Sequence, residues 1–155
     1  MGPNGAGFIG PQMTSGVSYL HLPASRKPPA LETTKPFRAV IVVEQSTDEI
    51  WRNAVSDWLV ESGCLYAVCW GRDCVVWEDS VDWARVDASG EGPSDDSVVM
   101  TTSHPKEPLS EALWFAATTA FHPAVALDQT IIIHVARDER PALLEQYAQA
   151  RESDE

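Results

Sequence analysis

Positive charge is scarce in this chain: 11 lysines and arginines stand against 23 aspartates and glutamates, for a formal net charge of −12. The imbalance is also uneven. Residues 1–37 carry Arg26, Lys27 and Lys35 against Glu32, which leaves 8 basic and 22 acidic side chains for the remainder. A body that acidic is repelled by phosphate backbones and by anionic lipid, so neither direct nucleic-acid binding nor membrane attachment is expected. Long apolar runs are missing too, since none approaches the roughly 20 residues that a membrane-spanning helix needs. The start lacks the charged, then apolar, then small-residue pattern of a secretory signal, and the sequence predicts a protein that stays in the cytoplasm.

Cysteine is sparse. Cys64, Cys69 and Cys74 lie five residues apart, and an odd count argues against a disulfide framework and for a reducing compartment. The spacing lacks the two-residue gap of a zinc knuckle, so no metal is expected. Glycine, finally, is absent from residues 44–49, EQSTDE, the first strand-to-helix turn. A dinucleotide or P-loop fold needs glycine there so that backbone N–H groups can approach phosphate. No cofactor is expected.

What is present begins at Phe37. Residues 1–36 recur in Gly, Pro and Ser and read as a flexible arm, in which Val17 to Leu22 can lie on the domain as an edge strand and disorder is expected before Val17. Residues 38–44, RAVIVVE, form a β-branched run suited to a strand buried on both faces. Ser46 and Glu49 then suggest a capping box. Ile50, Trp51, Ala54, Val55, Trp58 and Leu59 supply one helical face, and Gly63 closes the helix. Strands are predicted at 65–70, 98–102 and 130–135. Cys74 to Val86 reads as a helix or two short helical turns, and helices are predicted from Pro108 and from Pro141 to about Ala150, ahead of an acidic tail at 153–155. Alternating strands and helices imply a single α/β domain over 37–152: a small three-layer fold with a mostly parallel sheet of four to five strands and helices on both faces.

In such folds ligands bind beyond the C-terminal strand ends, which selects four segments. Glu44 to Ser46 is the first. The second, CWGRDC, contains Cys69, a core residue or an activated thiol beside Arg72. The third, TTSHPKEP, brings Thr101, Thr102 and Ser103 near His104, with Glu107 and Glu111 four apart for a shared helical face. Two carboxylates and an imidazole can transfer protons when properly held, and acids in a first helical turn equally answer the helix dipole. The fourth contains His134, a buried hydrogen-bonded group or, if its strand end adjoins that of His104, half of an imidazole pair. Among six tryptophans, Trp70, Trp77, Trp83 and Trp114 are candidates, with Arg72 and Asp73, for the sheet edge or a recognition patch, although aromatics concentrate in cores as readily.

The stretches FRAVIVVE, CLYAVCWGRDC, WEDSVDWA, VVMTTSHPKEPLSEALWFA and FHPAVALDQTIIIH together resemble an uncharacterised family of short bacterial proteins classed as a domain of unknown function. The resemblance runs from Tyr19 to Val135. It implies a bacterial cytosolic origin and carries over no activity, ligand or catalytic residue.

Two function classes follow. One is a non-catalytic acidic module that binds another protein, such as an adaptor or an immunity- or antitoxin-like inhibitor of a basic partner. The other places a small hydrolase, transferase or ligand sensor at the strand ends around His104 and His134. The first needs an exposed aromatic patch ringed by acids; the second needs His104, Glu107 and His134 to converge on one pocket.

Overall fold

A computed structural model describes residues 12–14, 16–31, 33, 35–89 and 98–152. Its strands are β1 (Gln12–Thr14), β2 (Val17–His21), β3 (Phe37–Val43), β4 (Cys64–Gly71), β5 (Met100–His104) and β6 (Gln129–Val135), and its helices are α1 (Glu49–Ser62), α2 (Cys74–Ser89), α3 (Leu109–Thr118) and α4 (Ala142–Glu152). They form one sheet of order β1-β2-β6-β3-β4-β5. All neighbours run parallel except the β1–β2 pair, which is antiparallel. The expected small α/β fold is present, with five parallel strands.

All seven residues of β3 are buried, as a strand in the middle of a covered sheet requires. Alternation divides them. Phe37, Ala39, Ile41 and Val43 join Val55, Leu59, Trp77 and Val81 of α1 and α2 in one core. Val40 and Val42 join Leu113, Ala116, Leu143 and Tyr147 of α3 and α4 in the other. The connections β2→β3, β3→β4 and β4→β5 step one way along the sheet, and β5→β6 steps back. The helices of the forward steps lie on one face and α3 on the other, as crossovers of one hand demand.

The N-terminal boundary moves. Residues 12–14, expected to be without structure, pair with β2, and β2 itself lies inside the sheet between β1 and β6. The Pro-rich stretch that follows is a crossover without a helix, packed on the α1 side. Leu22 and Leu31 enter that core, and the Trp51 and Trp58 indoles donate to the Arg26 and Pro29 carbonyls at 2.8 Å each. The Gly-rich residues 1–11 and the tail at 153–155 fall outside the described residues.

Helix ends also refine the reading. Asp48, not Ser46, caps α1, its carboxylate accepting from the Trp51 N–H at 2.8 Å. Ile50 and Ala54, expected on the buried stripe, face solvent, because the stripe is centred on Val55, Ser56 and Leu59. Pro108 is the N-cap of α3 and not its first residue. Arg38, unremarked in the sequence, is buried within β3. Its guanidinium donates to the Ala120 carbonyl through Nε and Nη2 and to Thr130 Oγ1 through Nη1, so a cation meets the carbonyl end of α3.

Two glycines separate conformational freedom from space. Gly63 has φ +107°, and a Cβ there would have its nearest neighbour at 3.8 Å. Gly71 has φ +100°, and a Cβ there would lie 2.2 Å from the Val43 carbonyl oxygen, whose backbone also accepts from the Arg72 N–H. Gly63→Ala is expected to cost about 1 kcal/mol, the backbone penalty alone. Gly71→Ala should cost about 3 kcal/mol or more, since β4 must also move off β3. Urea unfolding of the two variants measures the difference, and equal costs would refute the close-approach account.

Candidate functional site

Strand order decides which predicted residues meet. His134 lies on β6 and His104 on β5, with β3 and β4 between them. Three strand spacings amount to about 14 Å, so the two imidazoles do not form a pair. Each has its own partners.

At the β6 end, the Arg140 N–H donates to the Tyr19 hydroxyl oxygen at 2.7 Å. The hydroxyl proton is thereby directed to His134 Nδ1, also at 2.7 Å, and His134 Nε2–H donates to Glu44 Oε1 at 2.8 Å. The network fixes the Nε2–H tautomer. His134 is fully buried, and burial lowers its pKa against the opposing pull of Glu44. Burial acts to raise the Glu44 pKa, but the His134 hydrogen bond and the Arg140 charge bring it below the ordinary carboxylate value. Burial raises that of Tyr19. Above this chain lies a cleft of about 500 Å³ between Glu44–Gln45 and the 136–140 loop. It stands where the strand order reverses between β3 and β6, the place such folds use for ligands.

At the β5 end, alternation splits the hydroxyls expected beside His104. Thr101 and Ser103 face α2, donating to Asp82 and Glu78 at 2.8 Å each. Thr102 and His104 face α3. His104 Nδ1 pairs with Glu107 Oε1 at 2.5 Å, and Thr102 Oγ1 lies 3.1 Å from Nε2. The order hydroxyl, imidazole, carboxylate is that of a nucleophile, base and orienting acid. The ring is nonetheless buried and packed at 4.8 Å against Phe115. Glu107 precedes α3 instead of sharing a helical face with Glu111, which is exposed on the helix beside a cleft against α4.

The other candidates divide similarly. Cys69 is fully buried and its thiol pKa stands well above the ordinary value through burial, which removes it as a nucleophile. Trp77 is fully buried and cannot belong to a recognition patch. The Trp70 indole donates to the Glu107 carbonyl at 2.7 Å and holds the His104 loop. Arg72 and Asp73 are exposed in the turn into α2, where Asp73 has φ +58°. Of the aromatic candidates Trp83 stands furthest out, 68 % exposed on α2, and Trp114 on α3 is 39 % exposed.

A profile of one protein family matches residues 17–151. The chain belongs to DUF7684, a domain of unknown function. That span takes in β2 and the helix-free crossover, so the DUF7684 unit begins about twenty residues before the domain boundary read from composition. No curated protein and no solved structure matches the chain. No described helix of this DUF7684 protein is long and apolar enough to cross a membrane.

Acid should loosen the switch point. The folded pKa of His134 lies below its ordinary 6.5, so the unfolded chain binds the extra proton first. Stability from the neutral ring is complete above that ordinary value and is lost as pH falls through the folded one. Glu44, lowered from 4.5, adds a loss of the same sign at lower pH. Urea midpoints should therefore drop on acidification below about pH 6.5, and His134→Gln should flatten that slope. A slope unchanged in the variant would show that other groups carry it. Tyr19→Phe leaves His134 Nδ1 and the Arg140 N–H unpaired and should cost about 1–3 kcal/mol.

Proposed function

We propose that this DUF7684 protein is a non-catalytic binding module that docks a basic protein through the outer face of α1 and α2. One observation carries the reading. Of the seven exposed large apolar side chains among the described residues, five, Ile50, Val75, Val76, Trp83 and Val86, lie on these two helices. A monomer rarely leaves such a concentration to water without use. The two helices contain seven acidic residues and two arginines, and the groove between them, about 330 Å³, is lined by Glu49, Asp57, Asp79 and Trp83 among others.

Its floor is polar and ordered: Ser56 Oγ and Ser80 Oγ lie 2.7 Å apart, and Ser80 donates to Asn53. Tryptophan is the residue most often found at the energetic centre of an interface, and a rim of one sign speeds encounter with a surface of the other. The same reading places the protein in a bacterial cytoplasm, where three buried thiols remain reduced.

A photo-crosslinking residue in place of Trp83 should capture one basic protein, and the same residue at Phe121, exposed elsewhere, should not. Against that partner, Trp83→Ala should weaken binding by about 2 kcal/mol or more, mainly through faster dissociation. Asp57→Asn with Asp79→Asn should slow association and reduce its salt dependence. Equal capture from both positions, or association indifferent to salt, would refute the docking face.

A hydrolytic reading keeps the Thr102–His104–Glu107 chain as its support. It requires turnover of an activated ester that disappears in a folded His104→Ala variant. Turnover absent from the wild type, or retained by the variant, removes it.

A further inference from the structure

The cleft at the strand-order reversal shares no lining residue with the α1–α2 groove, and its chemistry is different. Two guanidinium groups and three carboxylates line it: Arg137, Arg140, Glu44, Asp138 and Glu139. Arg140 is only partly satisfied. Its Nη2 reaches Glu44 Oε2 only at 3.3 Å, long for a bond between opposite charges, and its Nε is out of solvent with no acceptor. Arg137 and Asp138 are exposed beside it. Glu44, in contrast, is held rigidly from beneath by His134, and the loop is held by the bond from the Arg140 backbone to Tyr19.

We propose that this cleft is a binding site for a small zwitterion of the amino-acid type, its carboxylate on the Arg140 and Arg137 guanidiniums and its ammonium on Glu44 and Asp138. A planar guanidinium 42 % exposed to solvent offers a carboxylate paired N–H donors from its Nη groups. A phosphate would bring a second negative charge against three carboxylates. A bare amine would leave the Arg140 edge unpaired. Only a ligand carrying both signs answers both sets of groups. Glu44 stays ionised for this role because its pKa is already below the ordinary value.

The test uses the full chain and each of the twenty common amino acids at millimolar concentration, with acetate, methylamine and inorganic phosphate as controls at equal ionic strength. At least one amino acid should raise Tm by about 2 °C or more, in a saturable way, while the three controls do not. Arg140→Gln should abolish the shift, and Arg140→Lys, which keeps the charge and loses the fork, should weaken binding about tenfold. Neither change touches the backbone N–H that holds Tyr19, so the unliganded variants should keep their fold. Backbone amide shifts of residues 136–140 in NMR titration give a second readout. No response to any amino acid in either measurement, an equal response to acetate or phosphate, or a shift that survives Arg140→Gln would overturn the proposal.

Discussion

A parallel sheet has to be covered on both faces, because its strands are apolar on both sides and its connections pass over it. Five parallel strands here need four crossovers, and the first, from β2 to β3, has no helix among its described residues. The Pro-rich segment takes that place. Its prolines restrict the unfolded chain and so reduce the entropy lost on ordering, but they also remove the N–H donors that would tie it to itself. The missing bonds come from outside, from the Trp51 and Trp58 indoles on α1 and from Gln45, whose side chain accepts from the Ala24 N–H at 2.7 Å. Two of the six tryptophans are thus structural fasteners, which explains their number better than a large recognition patch would.

The order of the strands then sorts the polar residues. The parallel arrangement gathers every strand's C-terminal end on one edge, but the place of each strand in the sheet sets the distances along it. β6 inserts between β2 and β3, so His134 meets Tyr19 and Glu44 instead of His104. The result is a hydrogen-bonded chain in which both His134 ring nitrogens and the Tyr19 hydroxyl are used, which rigidifies the strand ends. Arg38 shows the same economy on the opposite side of β3. A buried cation without a carboxylate is tolerated because one helix-end carbonyl and one hydroxyl take its donors.

Much of this was legible from local pattern. The run RAVIVVE suits a central strand, and the order of strands and helices after it followed from period and punctuation. The end caps were missed by one or two residues, Asp48 for Ser46 and Pro108 as cap instead of first turn, but the larger errors concern residues whose partners are far away in sequence. Val17 to Leu31 reads as an arm because its composition is poor in regular structure, while its anchors, β6 and α1, lie elsewhere in the chain. His104 and His134 could be paired on paper because sequence does not state strand order. Trp77 and Trp83 differ by six residues on one helix, yet one is fully buried and the other 68 % exposed. Only knowing which face of α2 meets β4 and β5 separates them. The splitting of Thr101 and Ser103 from Thr102 and His104 was, by contrast, available from strand alternation once His104 was placed inside the strand instead of after it.

The turn EQSTDE joins β3 to α1. Nucleotide-binding folds place glycines at this position so that bare backbone can close on phosphate. Here the same position is filled by side chains, and most of them are committed. Glu44 pairs with His134 and Arg140, Gln45 holds the crossover, Thr47 accepts from Arg52 through its carbonyl and hydroxyl, and Asp48 caps α1. A turn so bound cannot fold around a polyphosphate, and its acids would repel one. What it can do is present a fixed carboxylate at the mouth of the cleft and, five residues on, fix the first turn of the helix whose outer face is acidic and apolar. The absence of glycine at this turn is therefore the other side of what the turn contains: a rigid, negatively charged junction between the C-terminal edge of the sheet and its exposed helical face.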